Sequence, residues 1–169
     1  VHVTVNQTHA GLDIAVEGKI APEDSRKRAA ADAVRRLGFA RLTVNGEIIL
    51  APKRPLVAFG DVTVSPPPGA FLQAVPAMEE QMADIVTAHM AKSKRVADLY
   101  AGCGTFALRL AKNSTVHAVE GDGPALAALD RGFRDNSDKR LKTVTVDRYW
   151  LDTGVLTAPY HARSEEEDA

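Results

Sequence analysis

A chain of 169 residues with 45% hydrophobic and 25% charged side chains is long enough for one buried core or two small lobes, and its balance is that of a soluble globular protein. The net charge of −1 excludes a strongly basic nucleic-acid footprint, although it leaves local basic patches open. A single cysteine excludes an internal disulfide and fits a reducing cytoplasm, and no run approaches the ~18 consecutive apolar residues of a membrane span.

The chain opens on Val1 without a signal-peptide pattern, as expected of a processed chain or of a piece of a longer one. Val1, Val3 and Val5 alternate, as do Leu12, Ile14 and Val16, with NQTHAG between them; this pattern predicts a hairpin with one buried face. A helix follows over APEDSRKRAAADAVRRLGFA, with Pro22 and acids early, Arg35 and Arg36 late, and Ala29, Ala33, Val34 and Leu37 as its apolar stripe. Asn45-Gly46 between two apolar runs predicts a second hairpin, LVAFGDVTV a further strand, and SPPPGA a break. Residues 1–68 therefore read as a small antiparallel sheet with one helix. After Pro68 the texture changes. Val75, Met78, Met82, Ile85, Val86 and Met90 have helical spacing, and RVADLY, TFALRLAKN, TVHAVEGD, GPALAALDRGFRDN and LKTVTVDRYWL read as strand, helix, strand, helix, strand. That order predicts an α/β, doubly wound parallel sheet over 69–160, of which only part is present, followed by an acidic tail, 161–169, expected to be disordered.

The segment DLYAGCGTFALRLA, residues 98–111, places a glycine loop between a strand and a helix, where backbone N–H groups approach a ligand closely. Two cofactor classes use that arrangement. Gly102, Gly104 and Ala107 satisfy the dinucleotide pattern G-x-G-x-x-G/A, with Glu120 ending the next strand as a ribose acid. Asp98, ahead of the glycines, favours S-adenosylmethionine (SAM) instead, because a carboxylate suits an amino group and a sulfonium and repels a pyrophosphate. The plainest alternative is a tight turn with no ligand, in which Asp98 caps a helix and Glu120 is solvated.

GAFLQAV, residues 69–75, contains F-x-Q as Phe71, Leu72 and Gln73. Together with VADLYAGCGTFALRLA and VHAVEGDGPAL it resembles the RNA uracil-5-methyltransferase family, over roughly residues 1–147. The resemblance implies SAM as cofactor and a uridine of ribosomal or transfer RNA as substrate, methylated at C5. It implies cofactor contacts from Gln73, Tyr100, Thr105 (where relatives carry asparagine) and Glu120, beside the Asp98, Gly102 and Gly104 of the loop. An amide both donates and accepts, and Tyr100 offers an apolar or cation–π surface.

Methylation at C5 in that family uses a cysteine thiolate that adds to C6 and a carboxylate base that removes the C5 proton. The segments carrying them are not in this sequence, so no catalytic residue is assigned and the isolated chain is expected not to turn over. Cys103, inside the glycine loop, reads as structural. At the end of the third strand, where the family has an acid or amide, the sequence runs through Trp150 with Asp147 and Asp152 out of register, which leaves the adenine side unassigned. His2, His9, His89, His117 and His161 lack metal-ligand spacing, so no metal is expected. Arg26, Lys27, Arg28, Arg35 and Arg36 gather on one helix, as a solvated face or an RNA phosphate contact. Two readings from other classes stay open: a dinucleotide-binding oxidoreductase fragment, and a non-catalytic RNA-binding module.

Overall fold

The structure, a computed structural model, describes residues 1–73 and 75–151; Asp152, His161 and the acidic tail 161–169 lie outside the described residues. Strands β1 (His2–Thr8) and β2 (Gly11–Glu17) form the expected hairpin, paired from His2↔Glu17 to Thr8↔Gly11, but it buries the opposite face to the one the valines imply. Asn6, Thr8, Asp13 and Ala15 are buried, since Asp13 is paired with Arg41 and Asn6 with the Ala70 carbonyl, whereas Val1, Val3 and Val5 are exposed. Helix α1 (Asp24–Leu37) follows, with Asp24 in its first turn and Arg35 and Arg36 in its last, matching charge to the helix dipole. Strand β3 (Arg41–Val44) then returns parallel to β2, and β4 (Glu47–Leu50) turns back through Asn45-Gly46, both at positive φ.

The sheet β1-β2-β3-β4 is therefore mixed, not wholly antiparallel as the sequence reading has it. The cause is α1, which carries the chain back across the sheet so that β3 starts at the same end as β2. The buried side of α1 also differs from the expected stripe. Val34 is buried and Lys27, Ala30, Ala31 and Ala33 are half-buried, so Ala33 and Val34 of the expected stripe face inward while Ala29 and Leu37 are exposed. Lys27 lays its stem along this line and donates from Nζ to Glu47 on β4 at 2.7 Å. Arg26, Arg28, Arg35 and Arg36 are exposed.

LVAFGDVTV is two strands rather than one, β5 (Val57–Phe59) and β6 (Val62–Val64), because Gly60-Asp61 makes a two-residue turn. Phe59, Val62 and Val64 are almost wholly buried, in one core with Cys103, Leu108, Ala125 and Ala128. Helix α2 (Pro76–His89) leads to a parallel three-stranded sheet of β7 (Arg95–Leu99), β8 (Thr115–Glu120) and β9 (Val144–Arg148), in that order. Helix α3 (Ala107–Leu110) is a single turn between β7 and β8, shorter than TFALRLAKN suggests, because turns occupy 102–106 and 111–113. Helix α4 (Gly123–Asp135) joins β8 to β9 by way of a 3-10 turn at Ser137–Lys139. A second core of Ala107, Leu110, Val116, Ala118, Leu129 and Val144 fills the space between this sheet and its helices. No helix among the described residues is long and apolar enough to cross a membrane.

Candidate functional site

The glycine loop leaves the carboxyl end of β7, and Glu120 ends its neighbour β8. In an open parallel sheet this edge is where ligands bind. Parallel register sets Asp98 opposite Ala118, so Glu120 lies two residues further along, beside the loop. Its Oε2 accepts from the Gly102 N–H at 2.8 Å and its Oε1 from the Asp122 N–H at 2.8 Å. Each carboxylate oxygen has a second lone pair, so the acid that pins the loop still has acceptor capacity for a ligand.

Asp98 is half-buried, and its Oδ2 is buried with no hydrogen-bond partner among the described residues. Its carboxyl is pushed up to about 6; burial is the largest cause, the Ala107 backbone N–H works against it, and the charge of Glu120 adds to it. An orphaned acceptor of this kind fits a ligand that brings a donor or a positive charge.

The raised value has a stability consequence. The fold favours the protonated acid, so its contribution is full below the unfolded value of 3.8 and is lost as pH rises through about 6. Asp98→Asn should therefore gain stability relative to wild type as pH goes from 4 to 7, with a plateau above. Urea denaturation at both pH values checks this; a difference that does not change with pH would show Asp98 to be solvated.

Tyr100 follows with φ of 61°, a left-handed conformation costly for a residue with a side chain. It is 63% exposed, and its hydroxyl donates to the Leu151 carbonyl at 3.1 Å. Gly102 and Gly104 also have positive φ, but for different reasons. A Cβ on Gly102 would meet nothing within 4 Å, whereas one on Gly104 would lie 2.9 Å from both Leu108 Cδ1 and Leu129 Cγ. Gly104→Ala combines backbone strain with overpacking and should cost about 2–3 kcal/mol; Gly102→Ala, with strain alone, should cost about 1 kcal/mol, both read from urea midpoints.

Cys103 is buried between these glycines, and burial, then the charges of Asp122 and Glu120, push its thiol up to about 12. It stays a thiol, which removes it as a nucleophile at neutral pH. Thr105 is half-buried, and its carbonyl accepts from Arg109 Nη1 at 2.8 Å.

Gln73 is placed apart from these residues. It lines a cleft of about 410 Å³ with Asn6, Phe59, Leu72, Pro76 and Glu79, and no residue of the glycine loop forms its wall. Asn6 fixes the segment leading to Gln73 by donating from Nδ2 to the Ala70 carbonyl at 2.9 Å. Trp150 lies over Gly121, where a Cβ would approach its ring to 2.4 Å, so the indole sits next to Glu120.

Sequence reading missed Arg109 and Glu79. Arg109 joins the loop to α2 through Glu79 Oε1 at 3.1 Å, with both side chains 11% exposed. The available signal is Arg109 itself, a lone charge between Leu108 and Leu110 in an otherwise apolar turn.

No protein-family profile matches the chain. An uncharacterized RNA methyltransferase of Mesorhizobium japonicum is 53% identical over 157 residues, which is 92% of this chain and 37% of that protein. A protein of the same description from Brucella suis is 52% identical over 141 residues, 83% of this chain and 34% of its own length. Among solved structures, the Pyrococcus abyssi tRNA (uracil-54, C5)-methyltransferase in complex with S-adenosyl-L-homocysteine superposes with a TM-score of 0.64 at 16% identity, covering 88% of this chain and 38% of that one. The M. jannaschii tRNA m1G37 methyltransferase gives 0.53 at 13% identity, covering 85% and 45%. These likenesses show a Rossmann-like α/β fold. The chain spans about a third of the length of the curated relatives it matches, and over that third it is similar to proteins named as RNA methyltransferases.

Proposed function

We propose that this chain forms the cofactor-binding part of a SAM-dependent RNA methyltransferase acting on C5 of a uridine in ribosomal or transfer RNA. The observation that carries the cofactor is the pairing of Asp98 and Glu120. Asp98 Oδ2 is buried without a partner, and Glu120 holds the Gly102 N–H while keeping lone pairs open. Two carboxylates at one loop favour a ligand with an amino group, a sulfonium and ribose hydroxyls, and disfavour the pyrophosphate of a dinucleotide. The RNA substrate is drawn from the relatives' names, and the uridine C5 position from F-x-Q together with D-L-Y-A-G-C-G.

The residues divide the work as follows. Glu120 accepts from the ribose hydroxyls, and Asp98 faces the amino group and sulfonium. Tyr100 packs on the cofactor's apolar part. The backbone of Gly102, Gly104 and Thr105 lets the ligand approach closely. Gln73 stands in the cleft beside α2, and its cofactor contact rests on the F-x-Q resemblance. SAM supplies an electrophilic methyl group on a positively charged sulfur. Uracil C5 becomes nucleophilic only after a thiolate adds to C6, and Cys103, buried and held as a thiol, is not that nucleophile. The reaction therefore needs a thiolate and a base other than Cys103.

Calorimetric titration of the purified chain with SAM, and separately with NAD, tests the reading. Binding of SAM and none of NAD is the expected result. Binding of NAD alone would replace it with the dinucleotide reading, which Gly102, Gly104 and Ala107 also satisfy.

A further inference from the structure

Arg109 is the one charged side chain of α3, and its guanidinium reaches three places at once. Nη1 donates to the Thr105 carbonyl in the glycine loop at 2.8 Å. Nη2 donates to Glu79 Oε1 in the first turn of α2 at 3.1 Å. The guanidinium carbon stands 5.6 Å from the centre of the Phe59 ring on β5, within cation–π range. Glu79 and Phe59 both line the cleft that contains Gln73, and Pro76 and Gln73 lie just ahead of Glu79 in the chain.

Loop and cleft share no lining residue, and this guanidinium bridges them. We propose that Arg109 is a positioning residue that fixes the glycine loop against the cleft wall, so that the cofactor loop and the Gln73 segment are ordered together. The proposal deepens the SAM reading and rests on it for its ligand, although not for its geometry.

The chemistry requires arginine. A planar guanidinium presents several donors in fixed directions and satisfies a carbonyl and a carboxylate at once. A lysine ammonium keeps the charge opposite Glu79 but, as a point donor on a flexible stem, does not span both partners and the ring. Glu79, 9% exposed, would be left as a buried anion by an apolar replacement. The informative variants are therefore Arg109→Lys, which keeps the charge, and the double variant Arg109→Met with Glu79→Gln, which removes both charges and avoids a stranded carboxylate.

Two measurements on the full chain decide the matter. The first is hydrogen exchange of the backbone amides of residues 102–106 and 77–80, without ligand. The second is SAM affinity by calorimetry. In Arg109→Lys both amide groups should lose protection together, while the thermal midpoint stays within a few degrees of wild type. SAM should bind about tenfold more weakly, the scale of one charge-assisted hydrogen bond. The double variant should lose loop protection in the same way.

Wild-type exchange in both segments for either variant, or loss in only one segment, would overturn the proposal. So would SAM affinity in Arg109→Lys equal to wild type. If wild-type chain fails to bind SAM, the functional reading fails by itself, and the paired loss or retention of protection still supports or overturns the role of Arg109.

Discussion

Arg41→Met is expected to lower the stability of the chain by about 3–5 kcal/mol, the usual consequence of stripping a buried anion of its partner. Asp13 and Arg41 stand opposite each other in the parallel register of β2 and β3, with side chains 1% and 10% exposed. The contact is a fork: Nε donates to Asp13 Oδ1 at 2.8 Å and Nη2 to Oδ2 at 2.6 Å. Nη2 also donates to the Pro66 carbonyl at 2.9 Å, tying the sheet to the proline segment that leads into F-x-Q. Removing Arg41 thus strips three buried acceptor atoms, both Asp13 oxygens and the Pro66 carbonyl, of this donor at once.

Asp13→Asn combined with Arg41→Met should recover much of the loss, because no buried charge remains. By contrast, Lys27→Met breaks a pair whose side chains are 32% and 61% exposed, and should shift stability by no more than about 0.5 kcal/mol. Urea midpoints of the four proteins give the comparison. An Arg41→Met midpoint as close to wild type as that of Lys27→Met would show that Asp13 is not buried in solution.

Features that rest on neighbours in the chain were legible in the sequence. The β1–β2 pairing, the Asn45-Gly46 turn and the strand-loop-helix order around 98–111 stand where the residues imply, but the face that β1 buries does not, because Asn6 and Asp13 find partners there and Val1, Val3 and Val5 stay exposed. Features set by a distant partner were not. Ala29 and Leu37 have good helical spacing, yet α1 buries the line through Lys27 and Val34, the side on which it meets β3 and β4. In α2 the apolar residues Met78 and Ile85 are exposed while Glu79 is buried, where it meets Arg109, 30 residues away. Hydropathy treats both acids in Glu79-Glu80 alike; the partner distinguishes them.

The site divides along the same line. Asp98, the loop glycines and Glu120 could be picked out in order, but their meeting depends on how far β8 slides along β7, which no local pattern states. Slipping that register by one residue would turn Glu120 to the other face of the sheet and free the Gly102 N–H. Gln73 shows the opposite case. F-x-Q is visible in the chain, yet Gln73 stands in the cleft between β1, β5 and α2, and its link to the loop runs through Arg109.

Glu120→Ala carries the largest expected effect on the ligand. The substitution removes two acceptors that hold the Gly102 and Asp122 N–H groups, and with them the lone pairs proposed for the ribose diol. Two charge-assisted hydrogen bonds at about 1.5 kcal/mol each amount to roughly a hundredfold loss of SAM affinity. Glu120→Gln should fall between, since the amide keeps one acceptor and turns an N–H₂ toward one of the two backbone donors. S-adenosylhomocysteine separates the two acids. It keeps the ribose and loses the sulfonium charge, so wild type should bind it more weakly than SAM if Asp98 faces that charge. Glu120→Ala should weaken both ligands by a similar factor, whereas Asp98→Asn should narrow the gap between them. Calorimetry of the four proteins with two ligands separates these outcomes. SAM affinity undiminished by Glu120→Ala would remove the ribose role from Glu120 and leave it as a loop pin alone.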